Sequence, residues 1–390
     1  MKRILFVIPS MRIGGAEKSL ANLLNLIDLN EYDINLLMFK PGGDFLQQIP
    51  SGIHILKTDP SLFYAYKCDK NVFSCKAGIR SEILRIFSTV VCKILYGNCA
   101  RQKRWTKFYK TLLPKLDSEY DVAIGYLEGD VSYYVIDKVN AKRKILWVHS
   151  NFDNIKKNED ASVYKEYFRE ADKVVSISDK CVQVLQDNYP DMRNKFVFLP
   201  NLTSSVVLKN TAKAAIDEKF LKDIFNIVSV GRLTEAKGFD MAIDALKILK
   251  ERKVPVHWWI VGDGELRECL EKQVRNNGVE QYLTFLGSKS NPYPYMNNAD
   301  LIVQEGKSVV LDEAKILGKP ILATAYATVK DQVINGKEGV IVEMNAEAIA
   351  LEIEHLIKDK STLKSIQQYL MNHDYGNQNE IIKYYELFEQ

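Results

Sequence analysis

One short segment places two cationic side chains beside glycines at the end of a predicted strand. Residues 230–238 read VGRLTEAKG, so Arg232 and Lys237 are five positions apart in a loop after an apolar run. A strand-to-helix loop directs backbone N–H groups at one point, and two cations there can converge on a diphosphate. The spacing therefore predicts a diphosphate site, although it also fits a turn that Gly231 and Gly238 merely shape, with solvated cations.

A second strand-to-helix turn carries Gly14 and Gly15, after an apolar run at residues 4–9. Neither turn contains G-x-G-x-x-G, the pattern of a dinucleotide site, or G-x-x-x-x-G-K-[ST], the pattern of a P-loop. The missing dinucleotide pattern disfavours a nicotinamide-dependent dehydrogenase.

Two glutamates, Glu305 and Glu313, are eight residues apart at the start of a predicted helix. An apolar turn separates them, so both carboxylates can meet one ligand, and acidic residues there also suit the positive end of the helix. The alternative is an ordinary helix start with Glu313 on a solvated face.

Short apolar runs alternate with segments of helical period along the whole chain, which predicts parallel strands covered by helices. The fold class is α/β, with two doubly wound domains whose strand ends face each other across a cleft. We expect the N-terminal domain at 1–205, the second at 206–373, and a helical segment at 374–390 that packs back on one of them, preferably the first. The predicted strands are 4–9, 33–39, 54–57, 121–127, 144–149, 173–178 and 196–200, then 226–232, 256–262, 282–287, 299–304, 320–324 and 339–343.

Composition and charge limit the class of protein. The chain has 390 residues, 46% hydrophobic and 26% charged, which is typical of a globular protein of two domains and excludes disordered and collagen-like chains. A net charge of +3 gives no protein-wide field for nucleic acid. The six cysteines lack zinc-site spacing, and we expect reduced thiols in the cytoplasm. The run at 4–9 is too short for a signal peptide, and no uninterrupted apolar run predicts a membrane-spanning helix.

A basic stretch at residues 66–115 contains twelve Lys and Arg against Asp69 and Glu82, a net charge of +10. Its apolar residues have helical period, which predicts an interfacial helix on anionic lipid. The alternative is a core-facing helix with a solvated basic face; nucleic-acid binding is disfavoured because no recognition module is present. The apolar set is Ile83, Leu84, Ile86, Phe87, Val90, Val91, Ile94, Leu95 and Tyr96, continued by Trp105, Phe108, Tyr109, Leu112 and Leu113.

Five motifs in order resemble the retaining glycosyltransferases of GT-B fold, family 4. They are GGAEKSL near the N-terminus, WVHS at 147–150, VGRLTEAKG at 230–238, the Glu305/Glu313 pair and GKPILAT at 318–324. Within that family, the runs NPYPYMNNADL, EGKSVVLDEAKILGKPILAT and TVKDQVINGKEG are most similar to bacterial enzymes of capsular or other surface polysaccharide synthesis.

The resemblance implies a role for each matching residue. Arg232 and Lys237 would hold the donor diphosphate, Glu305 the donor sugar and Glu313 the ribose. By the same resemblance, His149 contacts the donor sugar at the reaction centre, Glu128 faces the acceptor or is a plain loop carboxylate, and Gly14, Gly15, Gly262, Gly306, Lys307 and Ser308 line the donor site.

One departure from the family concerns Glu305. Relatives have a few residues between the buried strand and the first glutamate, whereas residues 299–304 run directly into Glu305. Either a loop is absent from this sequence or Glu305 starts from a displaced position.

The resemblance implies sugar transfer with retention from a nucleotide diphosphate donor to a glycan or polyprenyl-linked acceptor, an activity of class EC 2.4 and hexosyltransferase type. It implies no metal and no cofactor, and a protein that is cytoplasmic or peripheral on the inner face of the cell membrane. The alternative is a catalytically silent GT-B scaffold that keeps the fold but has lost productive donor geometry.

Overall fold

The computed structural model describes residues 1–66, 76–218, 220, 223–306 and 308–389. The chain divides into two compact units: unit 1 is Met1–Leu202 with Gln378–Gln390, and unit 2 is Thr203–Asn377. The sequence prediction set the first boundary three residues later, after residue 205, and the returning segment four residues earlier, at 374.

Each unit contains one parallel sheet. In unit 1 the order is β3-β2-β1-β4-β5-β6-β7, and in unit 2 it is β10-β9-β8-β11-β12-β13. The strands of unit 1 are β1 Lys2–Ile8, β2 Tyr32–Met38, β3 His54–Ile55, β4 Leu116–Gly125, β5 Val139–Val148, β6 Lys173–Ser176 and β7 Phe196–Phe198. Those of unit 2 are β8 Phe225–Val230, β9 Val256–Val261, β10 Leu283–Gly287, β11 Leu301–Gln304, β12 Ile321–Thr324 and β13 Gly339–Val342. The predicted α/β class is confirmed.

Helices follow most strands, as right-handed crossovers between parallel strands require. The helices of unit 1 that precede unit 2 in the chain are α1 Gly15–Leu24, α2 Pro60–Tyr66, α3 Lys76–Tyr96, α4 Ala100–Arg104, α5 Lys110–Leu112, α6 Asp130–Lys138, α7 Phe152–Ile155, α8 Ala161–Glu170 and α9 Asp179–Asn188. Unit 2 has α10 Ser205–Thr211, α11 Phe239–Glu251, α12 Arg267–Asn277, α13 Tyr293–Asn298, α14 Val310–Ile316, α15 Ala346–Lys358 and α16 Lys360–Met371, and α17 Ile381–Glu389 returns to unit 1.

Both sheets are covered on both faces. Along β1, Leu5 and Val7 join one buried cluster, whereas Phe6 and Ile8 join the other. Successive side chains of a strand point to opposite faces, so a strand buried on both sides must be apolar throughout. This is why the apolar runs of the sequence mark the strands.

Helix α17 completes the core of unit 1. Tyr384, Leu387 and Phe388 are buried in it, and the Tyr384 ring stacks on Trp147 with centroids 5.9 Å apart. The Tyr384 hydroxyl donates a hydrogen bond to the Pro200 carbonyl at 2.7 Å. The last helix is therefore an integral part of unit 1.

Helix α3 has its large apolar side chains on the outside. Its buried residues Ser81, Ser88 and Cys92 are small, and Leu84 is partly buried against the core of unit 1. A core-facing helix has the opposite arrangement. The outward residues, each more than half exposed, are Ile83, Ile86, Phe87, Val90, Ile94 and Leu95.

The second part of the predicted stripe faces inward. Trp105, Tyr109 and Leu113 are buried in the core of unit 1, so their predicted place on a lipid-facing surface is wrong. A π-helical turn at Trp105–Tyr109 joins α4 to α5 here, and helical period alone cannot tell which side the domain occupies. Leu112, by contrast, is exposed.

The described segment Gly78–Leu112 is long and apolar enough to cross a membrane, by length and composition alone, with a mean hydropathy of 1.3 in its most apolar window. The sequence criterion of an uninterrupted apolar run did not select it, because polar residues interrupt the run. From the sequence we expect no segment that could form a membrane-spanning helix, and by length and composition this segment is an exception to that expectation.

Candidate functional site

The carboxyl ends of three neighbouring strands bring together the residues predicted in unit 2. Gly231 and Arg232 follow β8, Gly262 follows β9 and Glu305 follows β11. Ligands of open parallel sheets bind at this edge.

Gly262 allows the loops after β8 and β9 to touch. Its φ is 152°, and a Cβ atom at this position would lie 1.8 Å from the Gly231 carbonyl oxygen. The Gly231 N–H donates to Val261 O and the Leu233 N–H to Asp263 O, both at 3.0 Å. Any side chain at position 262 would separate the two loops, so glycine is required there.

Lys237 folds back along the turn. A Cβ atom at Gly231 would lie 3.6 Å from both Cδ and Cε of Lys237. Burial lowers the pKa of the Lys237 ammonium, and the Glu305 carboxyl opposes this shift. Arg232 is exposed on the same loop. The turn therefore carries one partly desolvated cation and one solvated cation.

Glu305 lies under this turn. Its side chain is 2% exposed, and a Cβ atom at Gly238 would lie 2.9 Å from Glu305 Cβ. The Thr324 hydroxyl donates to the Glu305 carbonyl at 2.6 Å, which fixes the backbone beside β12. Strand β11 runs directly into Glu305 without an intervening turn.

Burial raises the pKa of Glu305 from 4.5 to about 8, with a smaller contribution from Asp240, and Ser229 and Lys237 oppose the rise. The Ser229 hydroxyl lies 3.5 Å from Glu305 Oε1, but it also donates to Val303 O at 2.7 Å. A hydroxyl has one hydrogen, and the shorter contact uses it. Glu305 is therefore a protonated carboxyl at neutral pH.

Glu313 and Ser308 lie on the segment that follows. Glu313, in the first turn of α14, is 5% exposed and accepts a hydrogen bond from the Tyr293 hydroxyl at 3.4 Å. The Ser308 carbonyl accepts one from Gln332 Nε2 at 3.1 Å. The segment is thus held by α13 on one side and by the loop after β12 on the other.

Gly306 lets this segment approach the β8 turn. A Cβ atom at Gly306 would lie 2.3 Å from the Ala236 carbonyl oxygen, so a side chain there would displace the turn that bears Lys237. Lys307, predicted beside it, lies outside the described residues.

In unit 1, His149 follows β5 and lies against Tyr126, which follows β4, with ring centroids 5.1 Å apart. Burial lowers the pKa of His149, while Glu128 and a hydrogen bond to the Tyr126 backbone oppose the shift. Nε2 is buried and has no hydrogen-bond partner among the described residues. The ring therefore bonds through Nδ1 and keeps a lone pair on Nε2.

Glu128 holds the loop that carries His149. Its Oε2 accepts a hydrogen bond from the His149 backbone N–H at 3.0 Å, and its Oε1 accepts one from the Ser150 hydroxyl at 2.5 Å. Both carboxylate oxygens are thus engaged within unit 1.

Gly14 and Gly15 form the start of α1, after β1. Gly14 is the N-cap and has no side chain to bond the N–H groups of the first turn. A Cβ atom at Gly15 would meet nothing within 4 Å. The space beside Gly15, at the N-terminus of α1, is therefore unoccupied by other protein atoms.

The structure also shows polar residues that the sequence reasoning missed. Thr324 holds the Glu305 backbone, Ser229 lies 3.5 Å from the Glu305 carboxyl, and Ser19 shares a hydrogen bond of 2.9 Å with the Tyr126 hydroxyl. A buried acid, Asp130, lies 3.6 Å from Arg101. A single polar residue inside an apolar run, as in FNIVSV, was the available signal. Within the described ranges, no group of three or more His, Cys, Asp and Glu could hold a metal ion.

The chain is similar to several known proteins. Residues 212–373 match the profile of the family described as glycosyl transferases group 1. An uncharacterised glycosyltransferase of Methanocaldococcus jannaschii is 24% identical over 201 residues, 48% of this chain and 50% of that protein. The chain thus matches about half the length of that relative.

A relative from Campylobacter jejuni matches more of the chain. It is named N-acetylgalactosamine-N,N'-diacetylbacillosaminyl-diphospho-undecaprenol 4-alpha-N-acetylgalactosaminyltransferase, and it is 24% identical over 353 residues, 89% of this chain and 87% of that protein. The crystal structure of Anabaena HepE in complex with UDP has a TM-score of 0.60, with 16% identity and complete coverage of both chains.

The two parallel sheets and the structural neighbours define a GT-B fold. Residues 212–373 are thus similar to a group 1 glycosyl transferase domain, and two relatives that match most of the chain are named as N-acetylgalactosaminyltransferases. Its relatives include glycosyltransferases of bacterial polysaccharide and lipid-linked glycan synthesis.

Proposed function

We propose that this protein is a glycosyltransferase, an enzyme of class EC 2.4, that moves a sugar from a nucleoside diphosphate donor to a glycan or polyprenyl-linked acceptor, with retention at the anomeric carbon. It would act as a family 4 enzyme in bacterial capsular or other surface polysaccharide synthesis. The observation that carries the proposal is the β8 turn, where Arg232 and partly desolvated Lys237 share one loop inside the region that matches the family profile. HepE was crystallised with UDP, and the name of the Campylobacter relative contains a diphospho-undecaprenol acceptor.

In the proposed reaction the acceptor hydroxyl attacks the anomeric carbon from the side that the diphosphate leaves. The carbon–oxygen bond to phosphate breaks as the new glycosidic bond forms, and the acceptor proton passes to the departing phosphate oxygen. Arg232 and Lys237 stabilise the charge that develops on that oxygen, and partial desolvation strengthens the contribution of Lys237. These two cations carry the charge without a metal or a cofactor.

The remaining residues would orient the donor. The lone pair on His149 Nε2 can accept a hydrogen bond from a sugar hydroxyl, because burial keeps the imidazole neutral. Protonated Glu305 can donate one, and Glu313 can accept one from the ribose. In unit 2, Gly262, Gly306 and Ser308 line the donor in this proposal.

The test is donor turnover by the purified full chain. A panel of UDP-, GDP- and ADP-sugars is screened for thermal stabilisation, because a bound ligand raises the apparent stability by mass action. We expect one nucleotide sugar to stabilise the protein and to be hydrolysed slowly without acceptor, with the released sugar showing retained configuration by NMR. Binding without any nucleotide release would favour the silent scaffold instead.

We propose that the protein is peripheral on the inner face of the cell membrane and docks through α3. The outward apolar stripe of α3 is unlike the surface of a soluble domain, where large contiguous apolar patches are rare. Arg80 and Lys93 are exposed on the same helix, which suits anionic headgroups. The opposite side of α3 packs on unit 1, which supports a helix lying on the membrane rather than crossing it.

The test is co-sedimentation with vesicles. We expect binding to phosphatidylglycerol vesicles but not to phosphatidylcholine vesicles, weakening with salt. Replacing Phe87 and Ile94 by serine removes two side chains whose burial contributes about 1.5–3 kcal/mol each, so binding should fall more than tenfold. The matched control is Ile382→Ser, on α17, where the side chain is 59% exposed. Equal effects of the two sets of substitutions would refute docking through α3.

A further inference from the structure

Three cations of unit 1 lie close enough for the charges of two of them to act on the third. Arg12 follows β1, Lys40 follows β2 and Arg101 lies on α4. None of these three residues lies in the five motifs that resemble the GT-B glycosyltransferases.

The backbone fixes the first two side by side. Beyond the strand ends, the Lys40 N–H donates to Pro9 O at 2.8 Å and the Met11 N–H to Gly42 O at 3.0 Å. Gly43, with φ 128°, permits this approach, because a Cβ atom there would lie 2.1 Å from the Met11 carbonyl carbon. The loops after β1 and β2 therefore hold their cations on one surface.

A buried acid holds the third cation. Asp130, at the start of α6, has a side chain 3% exposed, and its Oδ2 lies 3.6 Å from Arg101 Nε. The other two cations have no carboxylate partner among the described residues. Burial lowers the pKa of Lys40, and the charges of Arg12 and Arg101 lower it further. Asp130 and Glu159 both offset the charge of Arg101, which leaves Arg12 and Lys40 as the cations without a carboxylate partner among the described residues.

A cavity of about 220 Å³ adjoins Arg101. Its polar lining includes Glu128, Asn154, Asn158 and Glu159. Glu128 is engaged with the His149 loop, and Glu159 accepts a hydrogen bond from the Tyr164 hydroxyl at 2.7 Å. Amide and carboxylate side chains of this kind suit the hydroxyls of a sugar.

We propose that Arg12, Lys40 and Arg101 bind the phosphate or diphosphate of the acceptor, and that the adjoining cavity takes the sugar attached to it. An anion with several charged oxygens relieves the repulsion among the cations and makes charge-assisted hydrogen bonds with them. This inference rests on the proposed function for the identity of the ligand as an acceptor, but the anion site itself does not require turnover.

The experiment measures binding of inorganic pyrophosphate by calorimetry at low salt. The full chain carries Arg232→Gln and Lys237→Gln, so that the donor-side cations are absent. We expect this protein to bind pyrophosphate, and the addition of Lys40→Gln or Arg12→Gln to weaken binding at least tenfold. The matched control is Lys142→Gln, an exposed lysine paired with Asp121 in β4, which should change affinity less than twofold.

Two results would overturn the site: no pyrophosphate binding by the double variant, or equal effects of Lys40→Gln and Lys142→Gln at unchanged thermal stability. A second arm replaces pyrophosphate by farnesyl diphosphate. If the ligand is a lipid-linked diphosphate, farnesyl diphosphate binds at least as tightly and shows the same dependence on Lys40. Binding of pyrophosphate alone would mean a free-anion site and would overturn the acceptor assignment. Absence of donor turnover would refute the proposed function without touching these binding results.

Discussion

The protonated state of Glu305 has a measurable effect on stability. The folded chain holds its proton up to about pH 8, whereas an unfolded chain loses it above the ordinary pKa of 4.5. Between these two values the folded state binds more protons than the unfolded state, so stability falls as the pH rises. The slope is about 1.4 kcal/mol per pH unit at most.

Replacing Glu305 by glutamine removes this pH dependence of the stability, because the amide does not titrate. Integration of the two pKa values from pH 5.5 to pH 8 gives a loss of about 3 kcal/mol for the wild-type protein relative to Glu305→Gln. The stability advantage of the variant should therefore grow with pH and be smallest in acid.

Urea unfolding of both proteins at several pH values, followed by tryptophan fluorescence, measures the difference. The other titrating groups are common to both chains, so their contributions cancel. Glu280→Gln, at an exposed position in unit 2, is the control and should give a constant difference. Parallel stability curves for wild type and Glu305→Gln would show that the carboxyl titrates normally and that the burial argument is wrong.

Three further predictions concern the donor turn. Lys237→Ala should lower turnover about 100-fold or more through the loss of one charge-stabilising donor, while Lys272→Ala, exposed on α12, should leave it within twofold. Activity should survive EDTA, and complete loss that Mg²⁺ or Mn²⁺ restores would exclude a metal-free mechanism. Gly262→Ala should destabilise unit 2 by about 2 kcal/mol or more in urea unfolding, because its Cβ would meet the Gly231 carbonyl; an unchanged midpoint would contradict the required close approach.

The fold could be predicted well from the sequence, and the reason is physical. Parallel strands buried on both faces must be apolar throughout, so β1, β8 and the others appear as short apolar runs. The glycine turn after β8 was likewise visible, because Gly231 and Gly238 bracket two cations in a short span.

The burial and the orientation of individual side chains could not be predicted from the sequence. Spacing predicted that Glu305 contacts a ligand, and the family resemblance implied that this ligand is the donor sugar, but the burial of Glu305 depends on Gly238 approaching it across the chain. The helical period of α3 was correct, yet only the packed structure shows that Ser81 and Ser88 face inward. Arg12 and Lys40 are far apart in sequence, and the register of β1 with β2 brings them together.

The return of α17 to unit 1 has a consequence for biosynthesis. Ribosomes deliver the whole of unit 2 before the helix that supplies Tyr384 and Phe388 to the core of unit 1. Until then, the face of Trp147 on which Tyr384 stacks lacks that partner, and the surface around Phe6 lacks Phe388. The nascent chain therefore carries an incomplete first unit through the synthesis of the second, and unit 1 reaches full stability only after α17 has been synthesised.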